Sequence, residues 1–526
     1  MKVVTAHTMQ ELDKQAIKEC EIPGLQLMEN AGRSCVEVIV GEFGTSGRCI
    51  VMAGKGNNGG DGYVVARLLA QTGWDVKVIV LADRAEIRGD AAANLEKLPG
   101  SVVNYCAGEG QLSALYMEEV FQADVVVDAL LGTGLCSNIS GIYHEAVDLM
   151  NASGRPVVAV DIPSGIHGTN GRVLGEAVRA YITVTFAIAK LGHILYPGAE
   201  HTGRLVVADI GIPQSLMEAA SGYEFLDETA IHPMLHRRDR QSHKGDFGHC
   251  LIIAGSTGKS GAAVLTANSA VRTGSGMVTL AAAETIHTIL EIKTTEVMTA
   301  PLPDYGSGYL TDNAFSAIKK LLTDKAAVAV GPGLGCHQGT HDLIKNLVET
   351  VATPLVIDAD GLNALAENVT ILKRKKTQQV ILTPHPGEMS RLVGSSIPDV
   401  EAIRISVSQE FASTYGVYLV LKGARTIIAS PAGTVAINGS GNPGMASGGM
   451  GDVLTGIIVS LLGQGCAAWD ACCLGVFLHG FAADMVAEDK GEIGINASDV
   501  LEMLPYAYKR LLTNTRFQES AGLRKS

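Results

Sequence analysis

Aromatic side chains are scarce in this sequence. They make up 5% of 526 residues, with two tryptophans, and charged residues reach only 18%. Set beside 61 glycines and a hydrophobic share of 47%, that scarcity reads as an α/β protein with many tight strand-to-helix turns. Positive charge is also short. The formal net charge is -13 and no long basic stripe offsets it, which excludes nucleic acid as the main partner. A phosphorylated ligand stays possible, because glycine loops and helix N-termini bind phosphate through backbone N–H groups whatever the global charge. The ten cysteines include one adjacent pair, Cys472-Cys473, but no C-x-x-C spacing and no Cys/His cluster. Zinc-type ligation is thereby excluded, and reduced structural thiols are expected. The first residues, MKVVTAHTMQELDKQ, turn polar too early for a secretory leader, and no uninterrupted apolar run reaches membrane-spanning length. A cytoplasmic protein without a membrane partner is expected.

The length exceeds one ordinary domain. Val- and Ile-rich stretches recur at 48–53, 76–81, 123–128, 155–161, 180–186 and 205–209, each followed by a turn and a helix-like segment. This alternation marks a parallel sheet built from βαβ units. Between residues 213 and 240 the pattern breaks, with no readable core strand. A second series follows at 249–254, 277–281, 326–330, 355–358, 379–383 and 417–421, with a hairpin-like stretch at 426–438. Two α/β domains in series are expected, at 1–215 and 236–512, with a linker at 216–235 and a polar, frayed tail at 513–526.

In the first domain, RCIVMAGKGNNGGDGYVVARLL reads as strand, glycine loop and helix, with a formal G-x-G-x-x-G match at Gly54, Gly56 and Gly59. Asn57, Asn58 and Asp61 make it unlike a bare dinucleotide loop, since they present oxygen ligands as well as N–H donors. The asparagines could instead only supply left-handed turn conformations. Two further strands end in aspartate before small residues: Asp128 before Gly132-Thr133-Gly134, and Asp161 before Pro163-Ser164-Gly165. Strand carboxyl ends line the ligand crevice of open α/β sheets, although a lone strand-end aspartate is often only a helix cap.

The ordered set KGNNGGDG, VDALLGTG and DIPSG resembles the YjeF N-terminal domain family, the NAD(P)H-hydrate epimerases, over roughly residues 1–215. The resemblance implies a Rossmann-like three-layer αβα domain. It further implies that Asn57, Asn58, Gly59, Gly60 and Asp61 hold the nicotinamide nucleotide. The loop Gly132, Thr133, Gly134, Leu135, Cys136, Ser137 and Asn138 would join them, with Tyr143 and Asp161. Asn58, Asp128 and Ser164 would be ligands of K⁺, a hard-oxygen set suited to such a cation. Asp128 could alternatively carry a proton during epimerisation, and the two roles compete.

In the second domain, ASGGMGDVLTGIIVSLL places Gly448, Gly449 and Gly451 before Asp452 and an apolar helix. Backbone N–H groups there would form an anion hole, and Asp452 could take a proton from an acceptor hydroxyl; the plainer alternative is a helix-capping aspartate. AGSTGKSGA mimics a P-loop but fails on spacing, because Ile253 stands where the first glycine is required. Strand-end residues include Asp358, Asp360, His385 and Glu388, while Lys422 and Arg425 flank Gly423 as candidate phosphate contacts.

The set SHKGDFG, GPGLG, DADGLNAL, TPHPGE, LKGARTII and ASGGMGDVLTG resembles the ADP/ATP-dependent NAD(P)H-hydrate dehydratases over roughly residues 235–510. A ribokinase-like αβα domain is implied. Lys422, Gly423, Ala424, Arg425, Thr426 and Gly451 would bind the adenine nucleotide with Mg²⁺. Ala262, Gly333, His385 and the catalytic Asp452 would contact the hydrated cofactor. The fused architecture and the HPGE loop favour ADP over ATP, and self-association into a homo-oligomer is expected. Two other readings share these residues: a small-molecule kinase with a nucleotide-sensing N-terminal domain, and an N-terminal domain serving only as a scaffold.

Overall fold

The computed structural model describes residues 1–513; the expected frayed tail lies, from residue 514, outside the described residues. The described chain divides into two compact units, one over Lys2–Tyr223 and the other over the described residues from Glu224, together with Met1.

The first unit is a seven-stranded sheet. Across it run Val103–Tyr105, Asp75–Val80, Arg48–Ala53, Val125–Ala129, Val157–Val160, Ile182–Phe186 and Arg204–Ala208, every neighbouring pair parallel. Strand residues alternate between two apolar layers. Cys49, Val51 and Ala53 face a core shared with Leu27, Ala31 and Cys35 of helix Gly24–Phe43. Ile50 and Met52 face the opposite core, with Ala146, Val147 and Met150 of helix Ile142–Ala152. Helices therefore cover both faces, as a parallel sheet requires. The winding reverses between Arg48–Ala53 and Val125–Ala129, so the loops after these strands meet at the point where such sheets hold ligands.

In the second unit the strand order is Met298–Leu302, Met277–Ala283, His249–Ile253, Ala327–Val330, Leu355–Ile357, Val380–Leu382 and Tyr418–Leu421. These strands are parallel, and the sheet continues into the antiparallel hairpin Ile427–Ala429 and Val435–Asn438. Met298–Leu302 and Tyr223–Leu226 are not readable from the sequence, each for an identifiable reason. Met298–Leu302 carries Pro301, tolerated because this is an edge strand. Tyr223–Leu226, within the stretch expected to lack one, is short and mostly half-buried, and pairs with Val435–Asn438 in parallel.

Helix Ala468–Lys490 is long and apolar enough by composition to cross a membrane, with a mean hydropathy of 1.4. Its apolar window is 72% buried within the fold, which identifies a core helix interrupted by few charges.

Candidate active sites

In the first unit, strand Val125–Ala129 delivers Asp128 into the interior at 0% exposure. Its Oδ1 accepts from Ser164 Oγ at 2.6 Å and from the Leu130 N–H at 3.2 Å. Oδ2 accepts from the Ser164 N–H at 2.8 Å. Burial pushes the carboxyl up to about 6, against the pull of these hydrogen bonds. Ser164 Oγ also accepts from the Leu131 N–H at 2.9 Å. One residue on, Gly132 packs on Asn58, whose Oδ1 would lie 3.5 Å from a Cβ placed there. Asn58 is buried, and among the described residues neither its Oδ1 nor its Nδ2 has a hydrogen-bond partner. An unpaired buried amide costs about 1–3 kcal/mol. Packed on the loop that follows the buried carboxylate, it offers an oxygen donor which, with that carboxylate and hydroxyl, would make a set that fits a hard cation of low charge. Gly59, in the first turn of helix Asn57–Thr72, must be glycine because a Cβ would stand 2.0 Å from the Gly54 carbonyl oxygen.

A second cluster surrounds Asp161, which follows Val157–Val160 in the left-handed region at φ 65°. Holding a non-glycine residue there implies an environment that over-determines it. Lys190, 1% exposed, donates to Asp161 Oδ1 at 2.6 Å and to Thr185 Oγ1 at 2.8 Å. His193 Nδ1 accepts from the Lys190 N–H at 3.0 Å, so Nε2 bears the proton it gives the Asp161 carbonyl at 2.9 Å. Burial holds that imidazole down to about 4. Burial would raise the Asp161 carboxyl, but the Lys190 ammonium holds it below the ordinary value. Asp61 is pushed the other way, well above the usual range, by burial and by the charges of Asp161 and Asp13.

Around these clusters the expected substrate residues form a partly open rim. Asn57 is exposed, while Gly59 and Gly60 are buried beneath it. Thr133 and Leu135 are half-buried, whereas Gly134, Cys136, Ser137 and Asn138 are exposed. Tyr143 packs on the second core with its phenol pushed up by burial, beside Lys55.

In the second unit, helix Met450–Gly463 starts at Gly449, which has φ 90° and whose Cβ would stand 2.6 Å from Leu265 Cδ1. The first N–H groups of this helix have no intrahelical acceptors and converge where an anion would sit. Below them lies a closed ionic network. Asp358 is 1% exposed, and accepts from Lys422 Nζ at 2.9 Å and from Thr455 Oγ1 at 2.8 Å. Glu388 Oε2 is 3.7 Å from the same ammonium. Asp452, in the first turn, is pushed up to about 7 by burial and by the charge of Asp358, with Lys422 opposing.

His385 is neither buried nor internally satisfied as a core histidine. Its side chain is 51% exposed and caps helix Pro386–Val393, Nδ1 accepting from the Gly387 N–H at 3.0 Å. Gly333 sits against Ala262, whose Cβ would be 3.1 Å from a Cβ at the glycine. In the 422–426 loop, Lys422 turns inward to Asp358, and Thr426 Oγ1 donates to the Gly423 carbonyl at 3.0 Å. Arg425 donates to the Gly439 carbonyl at 2.8 Å. Gly423 and Ala424 remain exposed, so backbone is what the loop presents outward. Gly451 lies over Lys422, whose Nζ would be 3.2 Å from its missing Cβ.

Two family models match in the same order as these sites: the YjeF-related protein N-terminus at residues 24–192, and NAD(P)H-hydrate dehydratase at residues 250–506. The bifunctional NAD(P)H-hydrate repair enzyme of Moorella thermoacetica is 43% identical, over 99% of this chain and 99% of its own. This chain belongs to that family. The Thermofilum pendens enzyme of the same name is 40% identical, over 97% of both chains, and the Escherichia coli K12 one 34%, over 94% of this chain and 92% of its own. Among solved structures, an ADP/ATP-dependent NAD(P)H-hydrate dehydratase from Bacillus subtilis is 29% identical. It covers 55% of this chain and 99% of its own, with a TM-score of 0.48.

For a repair enzyme of this family, the fold joins Asp128 to Ser164 in one unit, with Asn58 packed on the loop that follows, and groups Gly451, Asp452 and Lys422 in the other. It also adds residues that the motifs did not single out. Lys190 sits at the end of an apolar run and reads as a strand terminus. Lys259, inside the false P-loop, donates to Asp360 at 2.9 Å. Thr455 reads as an ordinary core-helix position.

Proposed function

We propose that the chain restores hydrated NADH and NADPH in two steps, the first unit interconverting the R and S epimers and the second dehydrating the S epimer with ADP or ATP. The observation that carries this is the pairing, in one chain, of an oxygen-lined site holding an unpartnered amide with an anion-binding helix start bearing a proton-poised carboxylate.

In the second unit, Asp452 would take the proton from the C6 hydroxyl as that oxygen attacks the terminal phosphoryl group of the nucleotide. Backbone N–H groups at the head of helix Met450–Gly463 would stabilise the charge on the transferred group. Phosphate then leaves C6 as a proton leaves C5, which restores the ring double bond. Lys422 holds its loop from within, and Gly423, Ala424, Arg425 and Thr426 would carry the nucleotide through backbone contacts. Ala262, Gly333 and His385 would border the hydrated cofactor. Among the described residues no group of three or more His, Cys, Asp or Glu is placed to hold a metal. Mg²⁺ would accordingly enter with the nucleotide phosphates, whose charge it offsets.

In the first unit, Asn58, Asp128 and Ser164 would hold K⁺, which would supply a fixed positive charge near the substrate. Residues 57–61, 132–138, Tyr143 and Asp161 would border the nicotinamide nucleotide. A cytoplasmic homo-oligomer using ADP in preference to ATP completes the reading.

The test is to incubate the full chain with both epimers of hydrated NADH, Mg²⁺, K⁺ and either nucleotide. Complete return of NADH is expected. No return with either nucleotide refutes the repair reading. Return of about one epimer's share, under conditions of slow spontaneous exchange, refutes the epimerase half alone. A stable phosphorylated product in place of free phosphate would indicate a simple kinase.

A further inference from the structure

Helix Ala6–Lys18 packs into the first apolar core of the first unit through Met9, Leu12 and Ala16. It follows strand Lys2–Val4, which pairs in parallel with Ala189–Lys190 so that Val4 lies opposite Lys190. At its first turn, the Ala6 N–H donates to Thr169 Oγ1 at 3.2 Å. Ala6 Cβ and Thr133 Cγ2 lie 2.9 and 3.6 Å from where a Cβ on Gly168 would be. The helix thus starts against Gly168, which also packs near the substrate-loop residue Thr133. Asp13 stands seven residues later, two turns along the same face. It is half-buried beside the buried Met9, Leu12 and Ala16, and no hydrogen bond among the described residues ties its carboxyl down.

The charged groups facing it come from each neighbouring element. Lys190 and Asp161 lie on the strand-end side, and Asp61 on helix Asn57–Thr72. The buried Cys35 of helix Gly24–Phe43 lies near Asp61 and Asp161. On its own helix, Glu11 and Lys14 pair with each other at the surface. We propose that Asp13 is a proton-carrying catalytic residue of epimerisation, working opposite the Lys190–Asp161 pair. The proposal rests on the epimerase reading of the first unit.

The chemistry requires two such groups. At C6 of the hydrated ring the carbon carries a hydroxyl and is bonded to the ring nitrogen. The C6–O bond breaks as the nitrogen lone pair forms C=N⁺, and the departing oxygen takes a proton from Asp13 and leaves as water. Water then adds to the opposite face, forming the new C6–O bond, and its proton passes to Asp161, which Lys190 keeps ionised. The reverse conversion uses the two groups in exchanged roles, and water is the only co-reactant. Burial and the Asp161 charge push the Asp13 carboxyl up to about 6, with Lys190 opposing, while Asp161 is held low. Two carboxylates whose proton affinities are driven apart are the mark of an acid and base pair.

The decisive experiment follows the R and S epimers separately in the full chain carrying Asp13→Asn or Asp13→Glu. Asp13→Asn is expected to lower kcat for epimerisation by about 100-fold or more, with KM within about threefold and dehydration of purified S epimer unchanged. Asp13→Glu should recover a substantial part of that rate. The wild-type kcat/KM profile should show an inflection near pH 6 that Asp13→Asn lacks. Epimerisation within about threefold of wild type in Asp13→Asn overturns the proposal. So do equal losses in both variants with an unchanged pH profile, which would mark a structural role. If the wild type dehydrates the S epimer but never interconverts the two, the epimerase reading itself fails, and this proposal with it.

Discussion

Asp358 in the second unit and Asp128 in the first are both strand-end carboxylates almost sealed from solvent, but their neighbours differ. Asp358 has an ammonium, a hydroxyl and a nearby second carboxylate in a closed network. Asp128 has one serine and backbone N–H groups, with no cationic side chain hydrogen-bonded to it among the described residues and an unpartnered amide in the first turn of the adjoining helix Asn57–Thr72. The protein supplies its own cation in one site and leaves oxygen donors open in the other. In the self-neutralised site the uncompensated charge falls on Asp452, which is suited to proton transfer. In the open site the missing charge is the natural place for a bound ion.

The largest effect expected from breaking this contrast comes from Asp452→Asn. NADH return from the S epimer should fall by about 10²–10⁴-fold, while epimerisation measured by separating the two epimers stays unchanged. Wild-type kcat/KM for dehydration should also decline as pH falls through about 7, where Asp452 becomes protonated and can no longer accept the hydroxyl proton. Activity that is flat across that range would remove Asp452 from the role of base.

Next in size is Lys422→Met, which strands Asp358 without its cation. Removing one partner of a buried pair costs about 3–5 kcal/mol, so the melting transition of the second unit should drop by several degrees. The double variant Lys422→Met/Asp358→Leu should recover part of that loss. A double variant as unstable as the single one would mean that the lysine acts through packing and not through charge.

In the first unit the corresponding cut is Asn58→Leu, which replaces the unpartnered amide with a side chain that needs none. The K⁺ concentration for half-maximal epimerisation should rise about 10–100-fold, without loss of thermal stability. Unchanged K⁺ dependence would show that the ion is held elsewhere.

How much of this was legible before folding differs between the sites for a physical reason. Asp128 and Asp161 stood out because strand, acid and small turn residues are contiguous and a parallel sheet sends all strand ends to one edge, and Asp452 because a glycine run leads directly into an acid and an apolar helix. Lys190 and Asp13 did not. Lys190 ends an apolar run, and its charge has meaning only once Asp161 is placed beside it. Asp13 is one charge among several on an amphipathic helix, and nothing local distinguishes it from the surface residues Glu11 and Lys14. The edge strand Met298–Leu302 was hidden by its proline, and Val103–Tyr105 by its half-exposed, non-alternating residues. Contiguous chemistry was readable, whereas chemistry assembled across tertiary contacts was not.

The smallest predicted effect turns the contrast into a stability measurement. An ordinary aspartate titrates near 3.8, and the folded second unit holds Asp452 up to about 7. The folded state therefore favours the protonated form more than the unfolded chain does. The stability this group contributes is whole below about pH 4 and is lost as pH rises to about 7. Above that range the wild type carries a buried charge that Asp452→Asn lacks. The variant should melt a few degrees higher than wild type at pH 8, with the gap shrinking towards pH 4. A variant that melts lower at pH 8 would show that the ionised carboxylate is held by favourable partners, and that the network around Asp358 does not end where the geometry places its edge.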